Sequence, residues 1–397
     1  MTIRWPWTGP AAPSPAAGPF RVRGRHYTRY EREVPTQRQR TAEQEFRAQW
    51  RAVAEGCGFA RVVYVAAGVT ISVPRVGGVR TDPDGTVRSA TIQRHPGQTI
   101  ADYTKAASLL ADALDVPHVR VDDLGADRWM RLQLLDVDPL ADVRQWSKRL
   151  PDGYLATCED GRILSAPWQR RPHLVCQGAT GAGKSVFLYQ QVAALAGRED
   201  VRVTGVDPTG LIWRPWPDDP WRVSGLRNVD EVRRVLRELV AEMDARLASM
   251  PAGTDNIATD RHTPCVVVVL EEFAGIVRAA ELAGKPVLAE VRGNVARLLA
   301  ESRKVGFRIV LAMQRADAST ADALVRAQAG LRVSFSVDSP EALAFLHPRD
   351  SADVAEHATA APGVAILTAP GVGTLRVRTP LLTYSAYIDA VRTGIQV

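Results

Sequence analysis

The chain has 397 residues, 46% of them hydrophobic and 24% charged, with 30 glycines, 26 prolines and four cysteines. That suits one large domain or two ordinary ones, and excludes a wholly disordered chain, a collagen-like repeat and a disulfide-stapled mini-protein. The net charge of +6 lies entirely in the first 40 residues, where eight arginines face Glu31 and Glu33; the rest is neutral, so any nucleic-acid contact by the body must come from local patches.

Residues 1–44 open with GPAAPSPAAGP and continue through RVRGRHYTRYERE without sustained periodicity. This composition predicts a disordered, basic N-terminal tail, a solvated arm before it is a phosphate or lipid contact. Arg4 and the proline-rich stretch after Trp7 stand where a secretory leader would carry its apolar core. The best apolar run, 62–73, is too short and interrupted for a spanning helix, so a cytoplasmic protein, at most peripheral at a membrane, is expected.

Residues 45–150 predict a small α+β accessory domain. Phe46, Trp50, Val53 and Ala54 share one helical face, and strand-like runs follow at 62–65 and 69–73. A turn at 82–85, a helix over 99–113 and strands at 119–121 and 130–135 complete it, with no catalytic constellation. Cys57, Cys158, Cys176 and Cys265 have no paired spacing and the seven histidines no ligand spacing, so neither a disulfide framework nor a structural metal site is indicated.

From 151 to 397 strands and amphipathic helices alternate. Strands are predicted at 174–177, 201–206, 265–270, 308–313 and 331–337, and helices at 184–195, 229–250 and 287–305. Such alternation gives an α/β fold, a mostly parallel sheet with helices on both faces.

One motif dominates. GATGAGKS at 178–185 follows the strand-like Leu174, Val175 and Cys176 and opens a helix, the context a phosphate loop requires. Gly178, Ala179, Thr180, Gly181, Ala182, Gly183, Lys184 and Ser185 form the candidate cradle. The glycines let backbone N–H groups approach phosphate, and the helix N-terminus adds partial positive charge. Lys184 can neutralise β- and γ-phosphate oxygens, and the Ser185 hydroxyl can ligate Mg²⁺, making ATP and Mg²⁺ the expected substrate and cofactor. Only five lysines stand against 45 arginines in this chain, so a lysine at this place is not a by-product of composition.

Such a loop needs a carboxylate at the end of an adjacent strand. Val266 to Leu270 reads as a strand buried on both faces, and Glu271 and Glu272 end it where open α/β sheets place ligands. Glu271 is expected in the magnesium shell and Glu272 as the base that orients water. Gln314, after the strand ending at Met313, is a candidate sensor of the γ-phosphate.

With these residues in place, 150–395 resembles the FtsK/SpoIIIE family of hexameric double-stranded-DNA translocases, most of all the conjugative-element branch of TraB/TraSA type. HLVCQGATGAGKSVF, GVDP, AEMDARL, VVVVLEEFA, ESRKVGFRIVLAMQR, LRVSFSV, PGVAIL and GVGTLRVRTP carry the likeness in family order. The resemblance implies a RecA-like P-loop NTPase core, a homohexameric ring, duplex DNA as partner, and an arginine completing the neighbouring subunit's site. Arg332 and, second, Arg303 stand where the family has arginines.

Departures from the family pattern are specific. Glu271–Glu272 replaces the usual Asp-Glu, Thr209 stands for a lysine, and Ser339–Pro340 for a Ser-Arg pair. Neither a winged-helix reader nor N-terminal membrane helices are seen, so DNA loading and membrane anchoring are expected from a separate partner. Rival readings are a secretion-type ATPase of similar fold acting on proteins and an adaptor that binds nucleotide without hydrolysing it. The 210–225 loop interleaves Trp213, Trp216 and Trp221 with Arg214 and Arg222, and reads as a packed lid or subunit contact before a nucleic-acid surface.

Overall fold

The computed structural model describes residues 21–23, 35–65, 68–125, 127–159, 161–317, 323–347 and 357–395. These fall into two compact units: 35–142, and 143–395 joined by β1 (Arg21–Arg23). Most of the basic tail read from the sequence lies outside the described residues.

The smaller unit opens with α1 (Gln37–Gly56). This corrects the tail boundary at 44: the helix starts at a capping box in which Thr36 and Gln39 exchange side-chain and backbone bonds of 2.8 and 3.3 Å. Its first turns are polar and mostly exposed, so no apolar period announces them. Two strands, β2 (Arg61–Val65) and β3 (Gly68–Ser72), pair as a separate hairpin. A four-stranded antiparallel sheet contains β4 (Arg75–Thr81) and β5 (Val87–Gln93). The sequence reading missed both strands because polar residues interrupt their alternation. The helix expected over 99–113 breaks at Ala106 into α2 (Ile100–Lys105) and α3 (Ala107–Ala113). Then β6 (His118–Asp123) and β7 (Trp129–Leu135) complete the sheet, in the order β4-β5-β7-β6. Phe46, Trp50, Ile92, Tyr103, Leu110, Met130 and Leu132 form its buried core.

The larger unit is built on one eleven-stranded sheet. It begins with β8 (Tyr154–Cys158) and β9 (Ile163–Ser165), then β10 (Leu174–Gln177), which runs into α4 (Lys184–Ala193). Next come β11 (Val201–Asp207), β12 (Arg222–Ser224) and α5 (Val229–Ala248). After β13 (Cys265–Leu270) the chain forms α6 (Phe273–Leu282) and α7 (Lys285–Glu301), and a 3₁₀ turn leads to β14 (Phe307–Met313). The remainder is α8 (Ala323–Gln328), β15 (Leu331–Ser334), α9 (Pro340–Leu346), β16 (Val364–Ala369), β17 (Gly373–Arg378) and α10 (Tyr384–Ile395).

Strand order is β1-β9-β8-β17-β16-β15-β10-β14-β13-β11-β12. The segment from β15 to β12 is parallel, as expected, whereas β16, β17, β8, β9 and β1 add an antiparallel half that the periodicity did not reveal. Successive side chains of β13 enter opposite cores. Cys265, Val267 and Val269 join the α4 and α10 side, while Val266, Val268 and Leu270 join the α5, α6 and α7 side. An apolar strand covered on both faces can end in charged residues only at its tip, which is where Glu271 and Glu272 lie. Among the described residues no helix is long and apolar enough to cross a membrane.

Candidate nucleotide site

The loop at 178–185 hangs between the ends of three strands. Gly178 N–H donates to the Gln314 carbonyl at 3.2 Å, Ala179 N–H to the Ser336 carbonyl at 2.9 Å, and Ala182 N–H to the Ala179 carbonyl at 3.1 Å. The N–H groups of Thr180, Gly181, Gly183, Lys184 and Ser185 donate to no acceptor among the described residues. They form the bend and the first turn of α4, where a polyanion would find both donors and the positive end of the helix dipole.

Glycine is required at two places in this bend. Gly183 has φ +113°, and a Cβ there would lie 2.8 Å from the Gly363 nitrogen, which itself donates to the Ala182 carbonyl at 2.9 Å. A Cβ on Gly178 would lie 2.8 Å from the Cβ of Phe335. That ring packs against Phe187 of α4 with centroids 5.7 Å apart. Strand β15 was expected to reach Val337 and ends at Ser334, as Phe335 turns in to support the loop.

Opposite the bend, Lys184 Nζ lies 3.2 Å from Glu272 Oε2 and 3.7 Å from Glu271 Oε1. Lys184 and Glu271 are buried, and the Glu272 side chain is 26% exposed. Burial raises the Glu271 carboxyl above the ordinary carboxylate range; Lys184 opposes that shift, and the charges of Asp207 and Glu272 add to it. Glu272 adopts the left-handed conformation, φ 47° and ψ 54°, at the N-cap of α6. A non-glycine residue resists that geometry, and here it swings the chain from strand to helix within one residue while both carboxylates keep hold of Lys184.

The acids do not come from the strand next to β10. Strand β14 lies between β10 and β13 and pairs in parallel with both, which corrects the expected adjacency. Its presence explains the position of Gln314, whose exposed side chain leaves β14 between the phosphate loop and the acids. Ser185 is likewise exposed at the start of α4. Its hydroxyl and the Glu271 carboxylate are the hard oxygen donors that suit Mg²⁺, so the residues present fit that ion.

Asp207, at the end of β11, was quoted in the sequence but given no role. Its buried carboxylate accepts from Thr209 N–H and Oγ1, both at 2.8 Å, and from Ile212 N–H at 2.7 Å. It therefore organises the turn beside the site. An aspartate two residues before threonine, at a strand end, is the sequence signal for such an Asx turn.

Arg332 does not reach outward. The guanidinium, half-buried, donates to the carbonyls of Ala329 at 3.0 Å, Leu346 at 3.0 Å and Arg326 at 2.8 Å. Three of its five N–H groups thus serve its own fold. Arg303 is exposed in the 3₁₀ turn before β14, at the strand end opposite the phosphate loop.

The tryptophan loop is packed. Arg222 lies over Trp216 at 4.9 Å and Trp213 at 6.0 Å, and Arg202 over Trp221 at 4.2 Å. Trp216 Nε1 donates to the Tyr387 hydroxyl at 2.9 Å, and Tyr384 donates to the Leu211 carbonyl at 3.1 Å. These contacts fasten the loop to α10 and set a guanidinium over one face of each ring.

The family model described as the FtsK/SpoIIIE family matches residues 137–348, more than half of the chain and all of the site described above. The chain belongs to the FtsK/SpoIIIE family. Among curated FtsK/SpoIIIE relatives, the DNA translocase FtsK of Mycobacterium tuberculosis (strain CDC 1551 / Oshkosh) is 25% identical over 272 residues, covering 62% of this chain and 31% of that protein. The DNA translocase FtsK of Halalkalibacterium halodurans is 26% identical over 199 residues, covering 45% and 24%. This family member thus spans about a third or less of those relatives. Among solved structures, the pCW3 conjugation coupling protein TcpA, in a monomer form with ATPγS, shares the fold with a TM-score of 0.55 at 17% identity. That match covers 88% of this chain and 99% of that one. EssC (ATPases 2 and 3) from Geobacillus thermodenitrificans shares it with a TM-score of 0.51 at 11% identity, covering 66% and 51%. The core is a P-loop ATPase fold within a large mixed sheet.

Proposed function

We propose that this family member is an ATP-hydrolysing motor that moves double-stranded DNA as a ring of six copies during conjugative transfer of a plasmid or integrative element. It would act at the cytoplasmic side of a membrane with a separate anchoring or DNA-loading partner. The observation that carries the reading is the meeting of Lys184, Glu271 and Glu272 beneath a bend in which the amides of Thr180, Gly181, Gly183, Lys184 and Ser185 have no acceptor among the described residues.

In this reading the amides of Thr180, Gly181, Gly183, Lys184 and Ser185 and the Lys184 ammonium bind the β- and γ-phosphates of ATP. Glu272 accepts the proton of a water whose oxygen attacks the γ-phosphorus as the bond to the β-phosphate oxygen breaks. Mg²⁺, when held by Ser185 and Glu271, would neutralise charge on the phosphate oxygens. Gln314, on the strand between loop and acids, responds to the loss of the γ-phosphate. Of the two arginines proposed to serve a neighbouring subunit, Arg303 is exposed and Arg332 is bonded within its own fold, so this reading favours Arg303.

The DNA substrate is supported by the curated translocases; because the body has zero net charge, any grip on phosphates would have to come from local patches. The conjugative role is favoured by the motif resemblance and by the extent of fold shared with the coupling protein. The test is steady-state ATP hydrolysis by the full chain with long duplex DNA, with peptide, or with neither. Stimulation by duplex supports the proposal. Stimulation by peptide alone would transfer the motor to protein substrates, and an oligomer that ignores DNA would refute DNA translocation.

A further inference from the structure

Gln177 is the one polar residue of β10, and its side chain is fully buried immediately before the phosphate loop. A buried primary amide in an apolar strand is costly unless every group is satisfied. Here it is. Oε1 accepts from Ala316 N–H at 2.8 Å, and Nε2 donates to Ser334 Oγ and to the Ala342 carbonyl, both at 2.8 Å.

These partners belong to three elements around the site. Ala316 follows Gln314 by two residues just beyond β14, Ser334 ends β15, and Ala342 lies in α9. The regular ladder between β10 and β14 stops at Gln177 and Met313. Beyond it the strands part, and two bonds cross the gap: Gly178 N–H to the Gln314 carbonyl, and Ala316 N–H to the Gln177 side chain. Gln314 is therefore clasped on both sides by the residue before the phosphate loop and the first residue of that loop. A second bond reaches α9 from the same strand end, because Arg315 Nη2 donates at 3.1 Å to Ser339 Oγ, the helix's N-cap. The tie continues inward: His347 Nε2 lies 2.7 Å from Ser334 Oγ, and His347 Nδ1 lies 2.7 Å from Thr368 Oγ1 of β16.

From this geometry we infer that Gln177 is a positioning residue, which sets Gln314 against the phosphate loop and couples both to α9. The inference rests on the ATPase reading above. Gln177 touches no substrate; it acts by fixing the separation of two strand ends, where a displacement of about 1 Å costs on the order of 100-fold in rate.

The test uses the full chain and two variants. Gln177→Met keeps the volume and removes all three bonds, whereas Ser334→Ala removes one partner and leaves the Ala316 bond in place. Gln177→Met should lower kcat at least tenfold with KM for ATP within twofold in protein that is still folded at the assay temperature. Its unfolding temperature falls because Ala316 N–H and the Ala342 carbonyl lose their partner. Ser334→Ala should stay within threefold of the parent in kcat. Hydrogen exchange on the unmodified protein reads the tie without turnover. Ala316 N–H should exchange as slowly as the strand amides of β14, and Gln177→Met should release it.

Equal kcat in Gln177→Met and the parent would overturn the inference, as would a loss of kcat no larger than the loss of folded protein. Rapid exchange at Ala316 in the unmodified chain would overturn it even if the variants do not fold. If the parent hydrolyses no ATP while Ala316 is protected, the ATPase reading fails and the structural tie survives. A parent that hydrolyses ATP beside an unprotected Ala316 leaves that reading intact and removes the tie.

Discussion

The ammonium of Lys184 sits 3.2 Å from Glu272 and 3.7 Å from Glu271, joining the start of α4 to the end of β13 across an intervening strand. One buried cation faces two carboxylates there, leaving one formal negative charge that a bound cation or proton would offset.

Lys184→Ala removes the cation and leaves the buried Glu271 and the half-buried Glu272 without their shared partner. Nucleotide affinity should fall at least 100-fold, measured by titration with a fluorescent ATP analogue. Lys184→Arg should not restore it, because a planar fork cannot replace a compact point charge held 3.2 and 3.7 Å from two carboxylates. Affinity within threefold of the parent for Lys184→Ala would show that phosphate binds elsewhere.

Glu271 provides a test by pH. Its carboxyl is raised in the folded chain, chiefly by burial, so the folded state holds a proton that the unfolded state has given up. That contribution to stability is fully present below the unfolded value, near 4.5, and is lost as pH rises through the folded value. Glu271→Gln stays neutral throughout and should unfold at a higher temperature than the parent at pH 8. The gap should close as pH falls toward 4.5. A gap that widens on acidification would mean that the carboxylate form is the stabilised one.

Arg332 distinguishes structural from intersubunit use. Removing its guanidinium strands three partly buried carbonyls, each worth about 1 kcal/mol or more. Arg332→Met should therefore lower the midpoint of urea unfolding. In mixtures with the parent protein, ATPase activity should fall only in proportion to the variant added. Disproportionate poisoning of mixed oligomers by a stably folded variant would restore the intersubunit role.

The phosphate loop was legible in the sequence because its requirements are local: three glycines, a lysine and a hydroxyl within eight residues, between an apolar strand and a helix. The acids were legible because β13 is apolar throughout and can bear charge only at its end. What escaped was non-local. Nothing in the 307–313 segment says that it lies between β10 and β13, and the carbonyls that surround Arg332 come from Arg326, Ala329 and Leu346, brought together only by the fold. The antiparallel strands β8 and β17 are over 200 residues apart in sequence, a pairing that periodicity cannot report. The start of α1 escaped for a different reason: its first turns are solvated, and only the Thr36–Gln39 capping pair marks them.

Glu272 bears the central claim, that this site hydrolyses ATP. The direct measurement is a single turnover of radiolabelled ATP bound to Glu272→Gln, compared with the parent. Binding should be retained within threefold while conversion to ADP slows by about 100-fold or more, the range a positioned general base contributes. Conversion at the parent's rate would contradict the claim and place the chemistry away from the carboxylates beneath Lys184.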